Sequence, residues 1–255
     1  MNGVRWYFAL PFLNYRCYIV VVTELHPEHG VTGAFTGFRW SRGEKDGFCK
    51  EVGMSQKTEQ WWEKKLGIET GCYRDRFLEE ACNPYEPTDY RVLERLAGSG
   101  YVTQESHFLD YGCGLGRSLF YMAARTGCRA TGVEFDPSLC ENAENNLARA
   151  KLPEEYKKGI RIVCADARNY RLEDEDCIYF FNPFANEILE IVLEKIRQSC
   201  FDRPRQMYLF FYYPFDEEVA ALMTADGFTF VDEIDCTDLY EYFDLRERIL
   251  VYEAG

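Results

Sequence analysis

The stretch "LDYGCGLGRS" at residues 109–118 constrains this chain more than any other. It sets three glycines, Gly112, Gly114 and Gly116, directly after an apolar run and directly before a helical period. A turn so rich in glycine lets the backbone bend tightly and lie against a ligand, where a Cβ would clash. It joins the end of a strand to the start of a helix, the place where α/β sheets bind cofactors. The remaining question is which cofactor.

The surrounding chain supports that placement. From about residue 85, short apolar runs alternate with helical periods, as in a parallel sheet with crossover helices. Strands are expected at 107–111, 129–134, 160–165, 177–181 and 206–213. Helices are expected at 117–126, after the cap and proline of Asp136–Pro137, at about 186–199 and at about 216–225. Two late strands, 228–234 and 246–253, have no helical period between them and predict an antiparallel pair on the sheet edge. The fold expected is α/β: a Rossmann-like, doubly wound, mostly parallel seven-stranded sheet with a C-terminal antiparallel strand pair. Residues 76–255 are assigned to it. Residues 1–75 form a small N-terminal α+β extension of unassigned role. In it "CYIVVVTEL" and "VTGAFTGFRW" read as strands, and "SQKTEQWWEKKLG" as a helix with a serine start and a glycine stop.

Charge narrows the partners. The net charge is −14, while residues 1–84 hold 11 basic and 11 acidic side chains, so the whole surplus falls in 85–255. An acidic domain repels phosphate backbones, which disfavours nucleic acid. Eleven cysteines are scattered without a C-x-x-C pair, as expected of reduced thiols in the cytoplasm. His26 and His29 in "HPEH" have ligand-like spacing. The proline between them disfavours a regular helix and no cysteine or histidine lies near enough to complete a set, so no metal is expected. The apolar run Trp6–Val22 is short and is broken by Asn14 and Arg16, unlike a membrane span, and it lacks the basic start and cleavage site of a signal peptide.

Three details discriminate among cofactors. The loop reads G-x-G-x-G, and Arg117 stands where the dinucleotide fingerprint needs its third glycine. No G-K-[ST] follows, which removes the phosphate loop of nucleoside triphosphatases. Asp110 stands at the mouth of the loop, where a carboxylate would repel a pyrophosphate and attract an ammonium or a sulfonium. S-adenosylmethionine carries both cations and no phosphate. Glu134 ends the second strand, where a carboxylate can accept both ribose hydroxyls. Asp166 ends the third strand, within reach of an adenine amine.

"FLDYGCGLGR", "TGVE" and "CADA", in this order, resemble the class I S-adenosylmethionine-dependent methyltransferases, and the likeness runs from about Tyr85 to Tyr252. The resemblance implies that Asp110, Gly112, Cys113, Gly114 and Gly116 cradle the methionine part of the cofactor. It puts Arg117 near the cofactor carboxylate, Glu134 on the ribose, and Asp166 with Ala167 on the adenine. "FFNPFAN" at 180–186 resembles the N-P-P-[YF] motif of enzymes that methylate amino or amide nitrogens, with one proline fewer. By that likeness Asn182, Pro183 and Phe184 carry the chemistry. Tyr85, Glu86 and Thr88 cover the cofactor, Tyr85 and Glu86 also meet the acceptor, and Tyr213 reaches the pocket. Bland readings stand beside these: Asp110 tying down the turn, Asp166 capping the next turn, Phe184 in the core, Thr88 capping a helix, His107 structural. The activity implied is methyl transfer to a nitrogen of a small-molecule or protein acceptor. The alternative is a non-catalytic S-adenosylmethionine-binding partner subunit; an NAD oxidoreductase and an aminopropyl transferase fit the loop less well.

Overall fold

A computed structural model describes residues 55–71 and 85–255. The expected N-terminal strands and His26 and His29 lie outside the described residues. The helices are α1 (Ser55–Leu66), α2 (Tyr90–Gly98), α3 (Arg117–Thr126), α4 (Pro137–Arg149), α5 (Glu154–Lys158), α6 (Asn186–Asp202) and α7 (Asp216–Thr224). The strands are β1 (His107–Tyr111), β2 (Arg129–Glu134), β3 (Ile160–Cys164), β4 (Cys177–Phe180), β5 (Met207–Tyr212), β6 (Phe228–Asp235) and β7 (Arg248–Ala254).

They form one seven-stranded sheet in the order β3-β2-β1-β4-β5-β7-β6. Strands β1 to β5 pair in parallel, and β7 runs antiparallel between β5 and β6. This is the doubly wound sheet with an antiparallel edge pair that the sequence pattern predicts. Strand alternation divides the core. Phe108, Tyr179 and Phe210 face one side, under α2 and α3; Leu109, Tyr111, Phe180 and Phe211 face the other, under α6. A sheet covered on both faces buries every position of its central strands, and all five residues of β1 are buried, His107 and Asp110 among them.

Local chemistry explains most boundaries. Asp136 caps α4, accepting from Ser138 N at 2.7 Å, with Pro137 at the first helical position. Pro153, Glu154 and Glu155 start the one-turn α5, which the sequence reading leaves out. One cap differs from expectation. Asp89, not Thr88, caps α2, accepting from Arg91 N at 2.8 Å. Thr88 is buried and turns toward the sheet, where its hydroxyl lies 3.0 Å from that of Tyr179. Helix α1 falls inside the stretch assigned to the extension, yet Leu66 and Ile68 share a core cluster with α2 and α3. Trp62 stacks on Tyr90 at 6.0 Å and meets the edge of Tyr121 at 4.7 Å.

No helix among the described residues is long and apolar enough to cross a membrane. The described cysteines are free thiols, and no described group of His, Cys, Asp and Glu has the makings of a metal site.

Candidate functional site

The strand order reverses between β1 and β4, so the crevice beyond their C-terminal ends is the natural ligand site of the sheet. The glycine loop leaves β1 there. Gly112 has φ +77°, and a Cβ on it would stand 2.7 Å from Cβ of Pro183. Gly114 has φ +53°, and a Cβ there would enter the ring of Tyr85. Both positions therefore need glycine for conformation and for space. Val133 O accepts from Gly112 N at 2.8 Å, and Glu134 Oε2 accepts from Gly114 N at 2.9 Å. The other Glu134 oxygen accepts from Asp136 N at 2.9 Å. Glu134 thus braces the loop from the end of β2.

Asp110, near the end of β1, borders this crevice. It is 4% exposed, and its carboxylate accepts from the Ser118 hydroxyl. No cation among the described residues pairs with it. Burial pushes its carboxyl up to about 7; the Ser118 bond opposes the rise and the negative charge of Glu134 adds to it. Burial also raises Glu134. A buried carboxylate without a counter-ion is costly unless a cation arrives with a ligand. A cavity opens beside it, bordered by Tyr85, Glu86, Asp110, Gly112, Ser118 and Phe181. These residues fit the ammonium end of S-adenosylmethionine: an anionic acceptor, a bare backbone, and no side-chain cation free to meet phosphate.

The other expected site residues divide. Tyr85 lies on the loop, anchored through its hydroxyl to Thr70 O at 2.8 Å, and Glu86 is at the rim. Cys113 and Ala167 are buried, Cys113 with its thiol pushed well up by burial. Arg117 borders the cavity, but its guanidinium is committed elsewhere. It bonds Thr70 Oγ1 and Glu59 Oε1, each at 2.8 Å, and Thr88 O at 3.0 Å, and lies over the Tyr90 ring. It ties α1 to α3 rather than reaching toward a cofactor carboxylate. Asp166 takes the capping role: it accepts from Arg168 N at 2.8 Å and pairs with the Arg168 guanidinium at 2.6 Å, which lowers its carboxyl.

Beyond β4, Pro183 abuts Gly112, while Phe184 is buried in an aromatic cluster with Tyr111 and Phe180. Phe184 is therefore core, not a stacking wall. Asn182 has φ +45° and Tyr213 has φ +53°, left-handed backbones that residues with a Cβ rarely adopt. Tyr213 is 3% exposed and its hydroxyl donates to Asp244 at 2.7 Å, under the guanidinium of Arg246. It turns toward the β6–β7 loop, away from the cavity lining. His107 bridges Asp174 and Thr131 at the opposite end of the sheet, a structural place. The sequence reading passes over Ser118 and Phe181. Ser118 had a legible signal, a hydroxyl at the second position of the helix that follows the loop.

Residues 108–201 match the model of a methyltransferase domain. A curated histone-lysine N-methyltransferase, H3 lysine-79 specific, from Dictyostelium discoideum is 35% identical over 82 residues, 32% of this chain. The chain spans 4% of that relative's length. The solved structure of the glycopeptide N-methyltransferase MtfA complexed with sinefungin superposes with a TM-score of 0.50 at 11% identity, over 65% of this chain and 85% of that one. A TehB-like S-adenosylmethionine-dependent methyltransferase from Corynebacterium glutamicum gives 0.46 at 17% identity, over 79% and 98%. The segment that matches the methyltransferase domain holds the glycine loop and both acidic strand ends, and the sheet has the fold of the glycopeptide N-methyltransferase.

Proposed function

We propose that this chain transfers a methyl group from S-adenosylmethionine to a nitrogen of a small-molecule or protein acceptor. One observation carries the cofactor half of this reading: Asp110, buried and without a described counter-ion, borders a cavity under a glycine loop. When bound, the cofactor would supply a methyl group on a sulfonium; as the N–C bond forms, the C–S pair returns to sulfur and neutral S-adenosylhomocysteine leaves. In this reading Asp110 receives the ammonium, and the methionine chain lies along the Gly112–Gly116 loop. Glu134, already bracing the loop, accepts from the ribose. Ala167, in the buried patch after β3, borders the adenine.

The acceptor half rests on Asn182. Its amide oxygen accepts a hydrogen bond from the acceptor N–H and so aims the nitrogen lone pair. The neighbouring backbone carbonyl beside Pro183 assists. The close fit of Pro183 to Gly112 fixes this segment against the cofactor loop. In-line displacement at carbon needs chiefly distance and angle, which such positioning provides. The Dictyostelium relative is a histone-lysine N-methyltransferase, which supports nitrogen as the acceptor atom.

Calorimetric titration of the full chain with S-adenosylmethionine, S-adenosylhomocysteine and NAD tests the reading. Micromolar binding of both sulfur ligands, with none of NAD, is the expected result. Tight NAD binding without either sulfur ligand would overturn it.

A further inference from the structure

Ser118 is buried, lines the cavity and donates its hydroxyl proton to Asp110 Oδ2. The groups that face Asp110 from every other side are acidic or neutral. Glu134 stands at the end of the neighbouring β2, the Cys113 thiol in the loop, and the Tyr179 phenol at the paired position of β4. Arg117, the next residue to Ser118, is committed to Glu59 and Thr70. In such a setting a carboxyl group prefers to keep its proton unless a donor favours the anion. A hydroxyl that donates to a carboxylate does this, because a protonated carboxyl is a poorer acceptor. The N-terminal end of α3, where Ser118 sits, adds positive potential in the same sense.

Resting on the proposed cofactor reading, we infer that Ser118 is a positioning residue: it holds Asp110 as an anion, aimed into the cavity, ready for the ammonium of the cofactor. The hydroxyl does not itself need to touch the ligand. Its effect passes through the charge of Asp110, and that gives it a signature in pH that a purely shape-keeping serine lacks.

The test uses the full chain with Ser118→Ala and the conservative Ser118→Thr. In the ligand-free protein, carbon-13 NMR follows the titration of the Asp110 carboxyl. The wild-type midpoint is expected near 7. In Ser118→Ala it rises by about one pH unit, as the loss of one charge-assisted hydrogen bond dictates, and Ser118→Thr restores it. Calorimetry with S-adenosylhomocysteine gives the second readout. Binding weakens about tenfold in Ser118→Ala at pH 6, and the ratio to wild type approaches one above about pH 8.5, where both carboxyls are mostly ionised. The ligand's own titration cancels in that ratio.

An unmoved Asp110 midpoint in folded Ser118→Ala overturns the inference, as does an affinity ratio that stays constant with pH. Should Ser118→Ala not fold, Ser118→Cys, a weaker donor, is expected to raise the midpoint by a smaller amount, and no rise overturns the inference equally. A wild type that binds no S-adenosylhomocysteine at any pH refutes the functional reading, while the carboxyl titration still decides the Ser118 coupling.

Discussion

Asp110→Asn should make the ligand-free protein more stable while removing its hold on the cofactor. The carboxyl is 4% exposed, and burial pushes it from 3.8 up to about 7. Below the lower value the folded and unfolded chains both hold the proton, and burial of the group carries no charge penalty. Between the two values the unfolded chain releases its proton first, so stability falls as pH rises. Above the folded value the loss is complete, and a rise from 3.8 to about 7 amounts to about 4 kcal/mol. Asparagine cannot ionise, and its amide oxygen can still accept from Ser118. It introduces an NH₂ group without an assigned partner, which costs about 1–3 kcal/mol. The net expectation is a gain of about 1–3 kcal/mol at pH 8, turning to a loss of about 0.5–2.5 kcal/mol at pH 4, where little charge penalty remains to be relieved. Urea denaturation at both pH values, with and without S-adenosylhomocysteine, measures it. The ligand should raise the wild-type midpoint and leave the variant unmoved. A ligand-free variant less stable than wild type at pH 8, or a difference that fails to grow between pH 4 and 8, would refute the reasoning.

Three further outcomes follow from the same geometry. Gly114→Ala places a methyl group in the Tyr85 ring at φ +53°. The backbone alone costs about 1–2 kcal/mol there, so the variant should melt lower and bind S-adenosylhomocysteine at least tenfold more weakly by calorimetry. Arg117→Ala leaves Glu59 and Thr70 without their shared donor, so it should destabilise by about 3 kcal/mol and shift the tryptophan emission of Trp61 and Trp62; unchanged emission and stability would refute its role as the tie to α1. Asn182→Gly, which fits the left-handed backbone, should keep cofactor affinity and abolish turnover of S-adenosylmethionine with any acceptor the wild type uses. Retained turnover would remove the asparagine from the proposed chemistry.

Much of the fold was legible because its signals are local. β1 begins and ends where its apolar run does, and α4 begins where Asp136 and Pro137 say it should. The late strand pair is readable from the missing helical period. Asp110 was legible for a similar reason: a carboxylate before three close-set glycines has few structural uses. Residues with several partners to choose from were not. Arg117 meets Glu59 and Thr70 from 58 and 47 positions away, and nothing in "LGRS" announces them. Thr88 and Asp89 are both good caps, and burial of Thr88 against Tyr179 decides between them. Phe184 reads equally as a wall of the pocket or as core until Tyr111 and Phe180 are seen to enclose it.

The backbone supplies what neither motif nor charge could. Asn182 and Tyr213 follow the ends of adjacent strands, each at positive φ where only glycine sits without cost. Strain of this kind persists when the surroundings over-determine it. For Asn182 those surroundings include Pro183 pressed against Gly112; for Tyr213 they are Asp244 and Arg246. Both lie at the end of the sheet that carries Asp110, and His107, at the other end, sits on an ordinary strand. Asparagine tolerates the left-handed region better than other side chains, so at the first position the sequence has already chosen the least costly residue that still offers an amide. Glycine would relieve the strain and remove the amide, and for that reason Asn182→Gly separates a structural use of this residue from a chemical one.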